Sequence, residues 1–166
     1  FTIAFWLNHG GSKQPMPVLQ KIAGDASRRG WEIRLEDSVL VDIQKRASSL
    51  TLRMSSQWPA NALEVRTKDR IVQRDWTHVA IVSDGSGKAS GITFFVNGKP
   101  MEAVVVRDAL NGETGNSADV QIGAKEPDAR PFSGNLDDLR FYGRALGAAE
   151  IRATGLDYPI QAVLSG

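Results

Sequence analysis

Apolar and polar residues alternate with a period of two along much of this chain, and that spacing belongs to a β-strand that buries one face and wets the other. Phe1, Ile3, Phe5 and Leu7 fall on one side of residues 1–8, and Trp31, Ile33 and Leu35 alternate with Glu32, Arg34 and Glu36. Residues 18–22 form another candidate strand, and more follow at 39–44, 50–55, 62–66, 76–83, 92–96, 104–107, 120–122 and 136–142. Turn chemistry separates them: a Gly/Pro-rich loop over 9–17, Gly24-Asp25, Arg29-Gly30, and Asn97-Gly98, a pair suited to the two positive φ angles of a type I′ hairpin. Helical periodicity is nearly absent. One short helix is expected at 148–153, with Gly147 at its N-cap and Glu150 at the third helical position near the positive end of the dipole, while Pro159 limits its extension. Short strands at this spacing predict an all-β sandwich or barrel and argue against a parallel α/β sheet.

At 166 residues the chain suits one domain spanning 1–166, large enough to bury a core without metal or disulfide staples. Hydrophobic residues at 42% and charged residues at 23% exclude the composition of a disordered segment. The formal net charge is +1, so no overall field draws the protein to nucleic acid, and partners must be recognised locally. Arg66, Lys68 and Arg70, the densest basic run, are interrupted by Asp69 and read as a solvated strand end. The absence of cysteine excludes disulfides, thiolate metal sites, a cysteine nucleophile and covalent haem attachment within the segment. No apolar run reaches the ~20 residues of a membrane-spanning helix, which predicts no membrane insertion. Residues 1–7 lack the basic start of a signal peptide and begin as if inside a strand, so the expectation is a domain cut from a longer protein.

Three stretches carry a resemblance. Trp76-Thr77-His78-Val79-Ala80 runs into Asp84-Gly85-Ser86; Phe94-Phe95-Val96-Asn97-Gly98-Lys99-Pro100 forms a hairpin motif; and Ile122-Gly123-Ala124 precedes Phe132-Ser133-Gly134-Asn135-Leu136-Asp137 and Tyr142-Gly143-Arg144-Ala145-Leu146. In this order they resemble the laminin-G-like branch of the concanavalin A-like lectin/glucanase superfamily. Gly30-Trp31-Glu32-Ile33-Arg34, Trp58-Pro59-Ala60-Asn61 and the exit Leu156-Asp157-Tyr158-Pro159 are similar to the laminin-G-like domain inserted in planctomycete cytochrome c domain proteins. The resemblance implies a two-sheet antiparallel jelly-roll sandwich with one short helix near the C-terminus. It implies a non-catalytic module for carbohydrate or protein recognition within a large exported multidomain protein, whose haem lies in another domain, leaving no haem here. A purely structural domain that docks against neighbouring domains of its parent is the alternative, and a glucanase-type glycoside hydrolase is a further one. Where the family has serine before the short helix, this chain has Gly147.

Glucanases of the superfamily place a nucleophile and an acid on one strand as Glu-x-Asp-x-Glu, and Glu32-Ile33-Arg34-Leu35-Glu36 has that spacing with arginine at the centre. A fixed cation there favours ionised carboxylates over a proton-donating acid, so the run is expected to be an exposed salt-bridge ladder and no catalytic residue is assigned. His9 and His78 lack a Gly-x-Ser-x-Gly partner motif, and His78 lies inside a strand as a packed or edge residue. Because the superfamily often carries calcium, Asp137, in the family's glycine-x-x-aspartate motif, is the first candidate ligand for Ca²⁺, followed by Asn135 and Asp84. Asp137 reads equally well as a carboxylate accepting backbone hydrogen bonds at a strand start. For carbohydrate, Trp58 is the candidate aromatic platform with Asn61, Arg53 and Arg66 as hydroxyl partners, although burial beneath a loop suits Trp58 as well. Trp6, Trp31 and Trp76 are assigned to the core.

Overall fold

The computed structural model describes residues 1–123 and 130–156. Its elements run β1 (Thr2–His9), β2 (Met16–Ile22), β3 (Gly30–Leu40), β4 (Arg46–Gln57), β5 (Asn61–Thr67), β6 (Ile71–Val72), β7 (Thr77–Ser83), β8 (Ile92–Val96), β9 (Lys99–Met101), β10 (Ala103–Asp108), β11 (Gln121–Ile122), β12 (Gly134–Tyr142) and α1 (Ala148–Leu156). They make a jelly-roll sandwich of two antiparallel sheets. The smaller sheet is ordered β12-β1-β7-β8-β9, and the larger is ordered β10-β5-β4-β3-β2-β11 with β6 paired to β4.

The period of two explains how the sheets close on each other. Ile3, Phe5 and Leu7 of β1, Val79 and Ile81 of β7, and Phe94 of β8 point inward from one sheet. Ile33 and Leu35 of β3, Leu50 and Leu52 of β4, and Leu63 and Val65 of β5 meet them from the other. A register shift between Pro17 and Leu19 lets Val18 and Leu19 of β2 both enter this core. The opposite face of the smaller sheet is covered by α1, where Ala4, Ala80, Val82 and Phe95 pack against Leu146 and Ile151. The helix begins as expected. The Gly147 N–H donates to Glu150 Oε2 at 2.9 Å, one half of a capping box, and Ile151 N–H donates to Gly147 O at 3.0 Å. Hydrogen bonds from Arg144 and the Gly147 backbone hold the Glu150 carboxyl down to about 2.

Local geometry accounts for two of the sequence motifs. Asn97 and Gly98 have φ of 49° and 73°, and Val96 pairs with Lys99, as a type I′ turn requires. Gly134 (φ 152°) opens β12 where a Cβ would lie 2.3 Å from Asn8 O, so only glycine lets β12 approach β1 this closely.

Several expectations are corrected. Residues 39–44 are not a separate strand: β3 continues to Leu40, and the chain then turns through backbone bonds between Lys45 and both Val41 and Asp42. Trp76 precedes β7 and is 36% exposed, so it is not a core residue, whereas Trp6 is buried and Trp31, its ring 6.2 Å from that of Phe141, is partly buried against the main core as expected. The helix runs to Leu156, three residues past 153. Ala124, Pro159 and the exit motif beyond Leu156 lie outside the described residues.

Both histidines are buried. His9 ends β1 with Nε2 3.1 Å from Ile71 O, and His78 lies beneath α1 with Nε2 3.2 Å from Thr154 Oγ1 and its ring edge-on to Trp6. Burial lowers both pKa values; at His9 the Ile71 carbonyl opposes it, and at His78 Asp138 opposes it while Arg140 adds to it. A histidine depressed in the folded state binds fewer protons than in the unfolded chain. Its contribution is therefore fully present above the ordinary histidine range, about 6.5, and is lost as pH falls through the folded values. The urea midpoint is expected to drop between about pH 7 and pH 5, and a His78→Gln variant is expected to show a shallower drop. An unchanged slope in that variant would show that His78 is not a source of the dependence.

Candidate functional site

Strand register builds the site. Across the larger sheet, Gln121, Gln20, Glu32, Arg53, Glu64 and Arg107 stand directly opposite one another on six successive strands. All lie on the face turned away from the core, because their neighbours Leu19, Ile33, Leu52 and Leu63 point inward. From Glu32 to Arg107 the row alternates in charge, so each cross-strand pair is attractive.

Glu32 is the centre of an ion network. It accepts from Arg34 Nη1 at 2.7 Å and Arg53 Nη1 at 3.2 Å, and pairs with Arg28 at 3.4 Å. Arg53 also reaches Glu36 at 3.0 Å and Glu64 at 2.8 Å, and Arg34 Nε lies 3.1 Å from Glu36. Burial works against the charged form of Arg53, but Glu36, Glu64 and Glu32 together raise its pKa, which fixes the cation. The expected exposed ladder is instead buried: Glu32 is 1% and Arg34 5% exposed. Arg53 from the neighbouring strand and Arg28 close on Glu32, which residue spacing within β3 alone does not reveal.

Glu32, Arg34, Glu36 and Arg53 line a cavity of about 430 Å³, with Arg28, Ser55, Trp58, Pro15 and Ile22 among the others. The Trp58 ring stands beside Arg53 and Arg107, whose guanidinium carbons lie 4.8 and 5.7 Å from its centre. The loop is secured by Trp58 N–H donating to Ser27 O at 2.8 Å. Chemically, the cavity offers an aromatic wall, guanidinium donors and carboxylate acceptors already held in place by one another.

Of the four ligand candidates, Trp58 and Arg53 meet in this cavity. Asn61 faces elsewhere and clamps the loop after β10, accepting from Asn111 N–H at 2.7 Å and donating to Asn111 O at 2.8 Å. Arg66 shares the polar face, opposite Thr51 and Val104, but does not line the cavity. Glu32, Arg34 and Glu36, whose spacing suggests only a salt-bridge ladder, also line the cavity. The available signal was the compatible alternation of charge on three strands, Glu32-x-Arg34, Arg53 and Glu64-x-Arg66.

The calcium candidates do not converge. Asp84 follows β7 near Phe1, its Oδ1 accepting Ser86 N–H at 2.7 Å, whereas Asp137 and Asn135 pair with Trp6 and Asn8 toward the other end of β1. About 20 Å of strand separates them at ~3.3 Å per residue. Asp137 Oδ1 accepts the Asp138 N–H at 2.7 Å within β12 rather than at its start. Among the described residues no group of three or more His, Asp or Glu side chains could hold a metal ion, and Asp84 shares no site with Asp137 and Asn135.

A laminin-G-type model of the concanavalin A-like lectin/glucanases superfamily matches residues 1–152. No curated protein matches the sequence. Among solved structures, the chain is similar to the CBM40 of a Ruminococcus gnavus IT-sialidase bound to α2,3 sialyllactose, with a TM-score of 0.68 and 14% identity over 93% of this chain and 81% of that one. It is similar to a heptameric SAP-like pentraxin from Limulus polyphemus (TM-score 0.63, 16% identity, 93% of this chain and 68% of that one). It is also similar to domain 4 of AbnA, a GH43 extracellular arabinanase from Geobacillus stearothermophilus, in complex with arabinotriose (TM-score 0.57, 22% identity, 93% and 65%). At these identities the likeness is one of fold.

Proposed function

The chain belongs to the concanavalin A-like lectin/glucanases superfamily, and from that premise we propose that it is a non-catalytic carbohydrate-binding module. The cavity on the larger sheet carries the reading. It is the size of a small-ligand site, and it combines an aromatic wall with fixed donors and acceptors, the chemistry that matches sugar hydroxyls. Its carboxylates support binding over hydrolysis. Arg34 bridges Glu32 and Glu36, and neither is placed as an unpaired acid that could protonate a leaving group. The neighbours of similar fold that are described as carbohydrate-binding or sugar-bound lend the same reading support. With it goes the setting suggested by the sequence motifs, an exported multidomain protein; no helix among the described residues is long and apolar enough to cross a membrane.

Glycan-array screening followed by calorimetry tests the proposal. The folded chain is expected to bind an oligosaccharide, and Trp58→Ala, which removes a wall and releases Arg53, is expected to weaken it about tenfold. A folded protein with no affinity across the array would overturn it.

A second reading, docking against another domain of the same polypeptide, has its own observation. Leu40, Val41 and Ile43 at the tip of the β3–β4 hairpin are 64%, 53% and 91% exposed, a cluster of the kind that marks an interface. On this reading, Leu40→Ser/Ile43→Ser improves the solubility of the isolated domain and leaves sugar affinity unchanged. No gain in solubility would count against docking at this tip.

A further inference from the structure

A second cavity, at the rim of the sandwich, differs from the first in its electrostatics. It also measures about 430 Å³ and lies between the loop joining β1 to β2 and the segment leading into β12. Lys13, Arg130, Ser12, Ser133 and Gln14 supply hydrogen-bond donors, and among the described residues its lining includes no carboxylate. In the first cavity, by contrast, Glu32 and Glu36 offset the arginines. The rim walls are tied together: Gly10 N–H donates to Ser133 O at 2.7 Å, Arg130 N–H to Pro15 O at 2.9 Å, and Arg130 Nε to Gln14 Oε1 at 3.3 Å. The two cavities are also neighbours, because Pro15 lines the first while Gln14 and Met16 line the second.

We propose that the rim cavity is a second subsite, which takes a carboxylate or sulfate group of the same oligosaccharide whose uncharged part occupies the first cavity; this rests on the carbohydrate reading above. Lys13 supplies a mobile point charge, Arg130 a planar fork, and the serine hydroxyls orient the remaining anion oxygens. In the first cavity Arg28, Arg34 and Arg53 are already engaged by Glu32 and Glu36, so its cations are less available to an acidic sugar than Lys13 and Arg130. Selection for charge therefore falls to the rim, and because Lys13 and Arg130 are exposed, that selection weakens as salt rises.

Calorimetry with two matched pairs of probes tests this: an oligogalacturonate against its methyl ester, and a sulfated galactan oligosaccharide against its desulfated form. In at least one pair the charged member is expected to bind about tenfold tighter or more, the scale of a charge-assisted hydrogen bond, with the advantage shrinking in high salt. The pair that shows it identifies carboxylate or sulfate as the group recognised. Lys13→Gln/Arg130→Gln, at two exposed positions, is expected to erase the advantage and leave affinity for the neutral member unchanged. Equal affinity within both pairs, or an advantage that survives the double substitution, overturns the subsite and leaves the carbohydrate reading standing. A folded protein that binds none of the four probes and nothing on the glycan array overturns both.

Discussion

Glu32→Gln is expected to lower the unfolding free energy by about 3 kcal/mol, toward the lower end for breaking a buried ion pair. Glu32 is 1% exposed and accepts from both Arg34 and Arg53, with Arg28 close by. Glutamine keeps the shape but removes the charge and one acceptor oxygen, leaving the buried Arg34 guanidinium with Glu36 as its remaining ion-pair partner among those described. Glu36 and Glu64 still hold Arg53, which keeps the loss below the upper limit. Adding Arg34→Met removes the stranded cation, so the double variant should cost less than the sum of the two singles. Guanidinium denaturation of the four proteins measures this cycle. A loss below about 1 kcal/mol for the single variant would mean that water, not protein, solvates Glu32.

Phe94→Ala should cost about 3–5 kcal/mol, as expected for emptying an aromatic site in a closed core. Phe94 is 0% exposed and packs between the two sheets, whereas Phe95, one residue on, faces the opposite way into the smaller cluster under α1. The two positions therefore separate two layers. Phe95→Ala is expected to raise hydrogen exchange within α1 and leave the inter-sheet strands protected, while Phe94→Ala lowers protection across both sheets. Matching exchange patterns in the two variants would contradict this separation.

The architecture was legible because its signal is local. Alternation at Phe1 to Leu7 and Trp31 to Glu36, and the Asn97-Gly98 pair, each determine their own backbone within a few residues. What sequence could not supply was partnership. The two-residue β6 owes its place to pairing with Ala47 and Ser48 of β4, too few residues to show a period. Trp76 carries a strand-like aromatic signal, yet it falls just before β7 and is left 36% exposed. The cavity was half legible for the same reason. Arg53 and Trp58 could be named from their types, but Glu32 joins them only through cross-strand pairing.

That transverse row of charges also bears on how the strands find one another while the chain is folding. A slip of two residues keeps every apolar side chain on the inner face, so burial alone cannot reject it. Moved two residues one way, β3 would set Arg34 against Arg53, and β4 would set Arg53 against Arg66; moved the other way, Glu32 would meet Thr51 and Glu64 would also meet Thr51. Either misalignment trades attraction for repulsion or for a carboxylate without its cation. Glu32 and Arg53, which line the cavity, thus also help proofread the alignment of the sheet that carries it.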